Sequence, residues 1–179
     1  METLQTERLI LRDWQLSDVE DFFEYAKVDG VGEMAGWPHH KSIEESMRIL
    51  KSFIDKGEVY AVVLKETNKV IGSLGIMDRS MDQDYPAKIH REIGYVLSKD
   101  YWGHGLMSEA VKEAIKYTFE KLHADVIWCG HFDINDRSRR VVEKCGFKFY
   151  KKGIYEAKLL GKNFDESCYL ITKEEFLSQ

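Results

Sequence analysis

Four consecutive residues, Trp102-Gly103-His104-Gly105, could do the first piece of chemistry in this 179-residue chain. Glycine reaches backbone conformations and close approaches that a Cβ forbids. From Met107 to Leu122 apolar side chains recur at helical spacing. A helix opening at a glycine turn presents unpaired N–H groups and a partial positive charge, a seat for an anion such as phosphate or pyrophosphate. In the turn the backbone N–H of His104 counts for more than its exposed imidazole. Two other phosphate-binding readings fail. No G-x-x-x-x-G-K-[ST] string occurs, and a dinucleotide fingerprint needs Gly or Ala where Ser108 stands. Glu92 is the second group with chemistry in it. Strand alternation puts Glu92, Gly94 and Val96 on one face. A carboxylate on a covered sheet is costly unless paired or used. It either pairs with Arg91 or a nearby lysine, or it takes a proton from a substrate. Asn135 suits a helix N-cap, and Ser138, one turn further on, faces the same way.

Those groups need elements to hold them. His90–Leu97 alternates as a strand and carries Glu92. Before it, Glu7–Arg12 forms a first strand. Ser17–Glu20 and Ser42–Glu45 have the capping-box pattern, opening helices that end near Lys27 and Gly57. Between these helices lies Asp29–Lys41, glycine-rich and the most flexible-looking segment of the first half, carrying Trp37, His39 and His40. Tyr60–Leu64 and Val70–Met77 form a hairpin, and Asp78–Lys88 is a solvated acidic loop. Val126–His131 is a strand, and Asp136–Lys144 a short helix stopped by Gly146. Phe147–Lys151, Tyr155–Leu160 and Cys168–Thr172 close the chain as strands. The order β-α-α-β-β-β-α-β-α-β-β predicts an α/β (mixed α+β) domain over residues 1–179. Its central mixed sheet has six or seven strands, with helices on both faces.

Composition narrows the function. The net charge is −5, which argues against nucleic-acid partners and fits a cationic substrate. Three cysteines without a pairing spacing imply free thiols and a cytoplasmic chain. No apolar run reaches the roughly 20 residues of a membrane span. Cys129-x-His131 does not amount to a metal motif, so no metal is expected.

Six strings, in order, resemble the GNAT superfamily of N-acetyltransferases, in the branch of the RimJ/RimL-type protein N-terminal acetyltransferases. They are TERLILRDWQLSDVEDFFEYA, GWPHHKSIEES, IGSLGI, EIGYVLSKDYWGHGLMSEA, NDRSRRVVEKCGF and GKNFDESCYLITKEEF. The resemblance implies acetyl-CoA as co-substrate. Its pyrophosphate would lie on Trp102, Gly103, His104, Gly105, Leu106, Met107 and Ser108, and its pantetheine along Val96, Leu97 and Ser98. It further implies an acceptor amine, either a protein N-terminus or a small molecule, and a monomer or homodimer. Glu92 becomes the general base. Asn135 reaches the pantetheine arm or its sulfur. The family's fourth-helix tyrosine is replaced by Val142, which leaves Ser138 as the donor to the departing thiolate. Met107 stands where the family motif has Gly or Ala. Trp37 is either a core anchor or a wall of the acceptor pocket, and Tyr155 and Asp165, in the closing region, are expected to line the acceptor site. A non-catalytic acyl-CoA-binding sensor is the alternative, because the tyrosine is missing.

Overall fold

The computed structural model describes residues 1–178. Its elements are β1 (Leu4–Gln5), β2 (Leu9–Arg12), α1 (Val19–Ala26), α2 (Ile43–Lys56), β3 (Val59–Leu64), β4 (Lys69–Met77) and β5 (His90–Leu97). They continue as α3 (Leu106–Glu120), β6 (Val126–Phe132), α4 (Asp136–Lys144), β7 (Lys148–Ala157), β8 (Lys162–Thr172) and α5 (Lys173–Leu177). One sheet holds all eight strands in the order β1-β2-β3-β4-β5-β6-β8-β7. The β5–β6 pair is parallel and its neighbours on either side are antiparallel.

The count is eight rather than six or seven. The short β1 adds an edge strand. At the other edge, Phe147–Lys151 and Tyr155–Leu160 are not separate strands. Lys148–Ala157 runs unbroken along β8 apart from a bulge between Phe149 and Lys151. The Lys-Lys-Gly sequence hides this continuity. On an edge strand, however, Lys151 and Lys152 can reach out to Asp82 and Asp133, each at 2.6 Å.

Alternation divides the core in two. Tyr60, Val62, Ile71 and Leu74 pack with the apolar side of α3, including Ala110, Val111 and Ala114. Ala61, Val63 and Val70 pack on the other face with Trp14, Phe22, Tyr25 and Leu50 of the α1/α2 layer. Only the serine half of the predicted capping box at α2 forms, because Glu45 turns back one residue too far. Ser42 Oγ accepts from Glu45 N–H at 3.2 Å, and Glu45 in turn accepts from Lys41 N–H at 2.8 Å. Ser17 does not cap α1. Asp18 stands at the N-cap position of α1 but makes no side-chain bond to the helix; Arg12 holds its buried carboxylate at 2.8 and 2.9 Å, and it accepts from Gln15 N–H upstream.

Two segments expected to be loose are braced. Glu33 accepts from the N–H groups of Gly30 and His39, folding the loop before α2 on itself. The acidic stretch after β4 is a cover, not merely a solvated loop. Its Met81, Tyr85 and Ala87 lie on Val126, Trp128 and Leu170, with the Tyr85 and Trp128 rings edge to face at 5.1 Å. Asp82 pins it by accepting from Tyr150 Oη and Lys151 Nζ. Among the described residues, no helix is long and apolar enough to cross a membrane.

Candidate active site

The parallel pair does not run its full length. β5 and β6 are paired over His90–Glu92 and Val126–Trp128, and then part, while β5 stays on β4 as far as Leu97. Ser98 N–H continues that ladder to Ile71 O at 2.8 Å. Successive residues of an antiparallel strand turn their polar groups to opposite sides, so Tyr95 and Leu97 face the gap. Leu97 O is taken by Trp102 Nε1 at 2.8 Å. The N–H and C=O of Tyr95 and the N–H of Leu97 thus edge the gap. Val96 and Ser98 spend their N–H groups on β4 instead. Val96 still lines the cleft with its side chain, and Ser98 is buried.

The gap opens into a cleft of about 450 Å³. At one end α3 begins at Leu106, with Gly105 as N-cap at φ 75° and Gly103 at φ 85°. Both conformations are left-handed and favour glycine. A Cβ at Gly103 would meet nothing within 4 Å, so this turn is open to a ligand. Trp102, Gly103, Gly105, Leu106, Met107 and Ser108 line the cleft, and the Leu106 and Met107 side chains are also buried in the core. His104 is exposed and outside the lining. Its carbonyl accepts from Arg8 Nη1 at 3.0 Å, and Arg8 is itself paired with Glu109. Arg137, Arg140 and Lys144 of α4 add positive charge along the rim, with Arg137 4.3 Å above the Trp102 ring. The seat therefore combines helix-terminal N–H groups with cations, which suits a pyrophosphate and neighbouring phosphates.

In the middle, Asn135 caps α4. Its Oδ1 accepts from Ser138 N–H at 3.1 Å, and its Nδ2 donates to Met34 O at 3.5 Å, tying the cap to the loop before α2. Ser138 Oγ lies 2.8 Å from Tyr95 Oη. Val142 is fully buried in the core.

The far end is acidic. Glu92 is buried, and its partner is Arg79, not Arg91 or a lysine. Arg79 Nε and Nη2 reach its two oxygens at 2.5 and 2.7 Å, while Arg91 pairs with Asp78 at 3.1 Å. Beside this pair stands Glu166 of β8. Burial, and then the charge of Glu92, push its carboxyl up to about 7, against the opposing pull of Arg79. Sequence reasoning missed Glu166 and Arg79. One signal was available: in β8, alternation puts Glu166 in phase with Cys168 and Leu170, a carboxylate on an otherwise apolar face. Tyr155 lines this end, its ring against Phe132 at 5.2 Å. Trp37 does not reach the cleft. It lies over Gly32 and packs near the buried His40. Asp165 is exposed and lies outside the lining.

Gly130 makes room for this arrangement. A Cβ there would lie 2.5 Å from Glu166 Oε1 and 2.8 Å from Met81 Cε. Gly130→Ala is expected to displace the Glu166 carboxylate. A loss of about tenfold or more in kcat/KM, with CoA affinity in calorimetry kept within about twofold, would register the displacement.

The family model described as acetyltransferase (GNAT) domain matches residues 8–148. The chain is 28% identical to the uncharacterized N-acetyltransferase YoaA of Bacillus subtilis, over 95% of this chain and 96% of that protein. A GNAT-family acetyltransferase from Bacillus anthracis superposes with a TM-score of 0.83 at 23% identity, over 97% of this chain and 100% of that one. The self-immunity acetyltransferase MccE, solved with acetyl-CoA and AMP, superposes with a TM-score of 0.73 at 17% identity, over 93% of each chain. Family match, fold and an anion seat at a parted strand pair agree: this chain belongs to the GNAT acetyltransferases and is an acetyl-CoA-dependent N-acetyltransferase.

Proposed function

We propose that the chain acetylates a primary amine, the N-terminus of a polypeptide or a small aliphatic amine, by direct attack on the thioester. The observation that carries this reading is the pair of carboxylates, Glu92 and Glu166, at the end of the cleft opposite the phosphate seat. An amine arrives as an ammonium ion and is drawn to negative charge. It must lose a proton before it can attack. Glu166, with its carboxyl near 7, is matched to that task at neutral pH. Both Glu92 oxygens are engaged by Arg79, so its part is to supply the charge that tunes Glu166, and we reassign the base accordingly. The N–H groups of Tyr95 and Leu97 are the donors available to the thioester oxygen; one such donor is typically worth roughly 2.7–4 kcal/mol of barrier. Ser138 lies beside the path of the thiol. Holding amine and thioester in one cleft supplies much of the remaining rate.

The test is thiol release from acetyl-CoA with a panel of N-terminal peptides, polyamines, amino acids and aminoglycosides. Release with any amine supports transfer. Tight CoA binding with no release across the panel would favour a sensor. The pH profile adds a second check. The base works ionised, so kcat/KM should fall about tenfold per pH unit below the carboxyl value near 7. In Glu92→Gln the repelling charge is gone and Arg79 is freed to attract Glu166. The acidic limb should then move to lower pH. A limb that stays in place would sever Glu92 from the tuning of the base.

A further inference from the structure

Val142 leaves α4 without a hydroxyl of its own at the position where the family places tyrosine, yet a tyrosine does reach this helix from the opposite side of the cleft. Tyr95 projects from β5, and its Oη lies 2.8 Å from Ser138 Oγ and 3.2 Å from Ser138 O. Both residues line the cleft, on the α3/α4 side of the sheet. Ser138 has one proton to give. If it donated that proton to Tyr95, nothing would remain for the cleft. If Tyr95 donates to Ser138 Oγ, the serine O–H is free to turn toward a sulfur in the gap. We infer that Tyr95 is a positioning residue for the leaving group: its hydroxyl donates to Ser138 Oγ and so aims the serine proton at the departing CoA sulfur. The inference rests on the proposed direct transfer and deepens it.

The chemistry balances without moving a phenolic proton. The amine nitrogen forms its bond to the acetyl carbon and the C–S bond breaks. The electron pair leaves on sulfur, as a thiolate that accepts a hydrogen bond from Ser138. Two protons leave nitrogen: Glu166 takes the ammonium proton before the attack and passes it to water, then takes the second N–H proton as the C–S bond breaks, so the amide forms neutral. A thiol with a pKa near 8.5 is a tolerable leaving group as the anion, and chained hydrogen bonds polarise one another. Burial holds the Tyr95 phenol well above the ordinary tyrosine range, so it stays a donor throughout the working pH range. The neighbouring Cys129 and Cys145 thiols are pushed up by burial as well, Cys145 to about 11, so they bring no competing charge at neutral pH.

The test is a double-mutant cycle with Tyr95→Phe, Ser138→Ala and the double variant, assayed with acetyl-CoA and an amine that the wild type accepts. Phenylalanine keeps the ring and removes only the hydroxyl. Tyr95→Phe should lower kcat by about fivefold, the scale of one hydrogen bond, with the KM for acetyl-CoA within about twofold. In the Ser138→Ala background the same change should be silent. A second readout is the thiol pKa of bound CoA, followed by NMR of 13C-labelled cysteamine carbons. It should rise by about half a unit in Tyr95→Phe, again the scale of one hydrogen bond. Independent, multiplicative effects on kcat together with an unmoved thiol pKa would overturn the inference while leaving the transferase intact. Wild-type protein that binds no CoA, or releases no thiol with any amine, would overturn both.

Discussion

Glu166→Gln should lower kcat/KM by about 10²–10⁴ and remove the acidic limb of the pH–rate profile, while CoA affinity stays near wild type. The amide keeps the shape of the side chain and its place beside Arg79, but it cannot take the proton. The same variant should melt higher than wild type at pH 8. The sign follows from the direction of the shift. The folded-state value is raised from 4.5 to about 7, so between those values the native state holds a proton that the unfolded chain has lost. Stability contributed by this group is full below about 4.5 and falls as pH rises toward 7. Gln removes that loss. Activity and stability should thus move in opposite directions, which a simple packing defect would not produce. Scanning calorimetry at pH 5 and pH 8 beside kinetics reads both, and a Gln variant retaining more than about a third of wild-type kcat/KM would exclude Glu166 as the base.

Gly105→Val should weaken CoA binding by about 10²-fold or more, the loss of one or two hydrogen bonds to charged phosphate oxygens. Space inside the protein is not the obstacle: the nearest atom to a Cβ there is Arg8 Nη2, at 3.9 Å. Valine disfavours the left-handed conformation at φ 75°, at a cost of roughly 1–3 kcal/mol. Its branches also stand where a phosphate must meet the first N–H groups of α3. Calorimetric titration with CoA, paired with circular dichroism to show that the fold persists, separates the two effects. A folded variant with wild-type affinity would remove the seat from this turn.

What could be read from the sequence was local. β5, the glycine turn, α3, β6 and α4 follow one another within about 50 residues, and each is marked by its own alternation, helical spacing or cap. The register of chemistry between distant segments was not legible in the same way. Glu92 became the base on the family resemblance, with a pairing to Arg91 or a nearby lysine as its alternative. The pairing that engages it comes from Arg79 across a loop, and the carboxylate beside it comes from β8. Ser17 matched a cap pattern that α1 does not use, because the helix begins one residue later and Asp18, at its N-cap position, spends its carboxylate on Arg12 and Gln15. Trp37 carried an acceptor-site expectation on the strength of its loop, but a large aromatic over a glycine is as good an anchor as a pocket wall. The cover formed by the loop after β4 was concealed by its aspartates, one of which serves to fasten it.

The sheet order has a consequence for how this catalyst comes into being. β8 is made after β7 yet inserts between β6 and β7. On the ribosome, a chain that has emerged only through α4 already carries Tyr95, the glycine turn and Ser138, but the outer edge of β6 still lacks its partner. The proposed base, Glu166, is encoded in the very strand that fills that vacancy. On that proposal nascent chains are without their proton acceptor until the insertion is complete, and the unpaired edge that invites aggregation disappears in the step that brings Glu166 to the cleft.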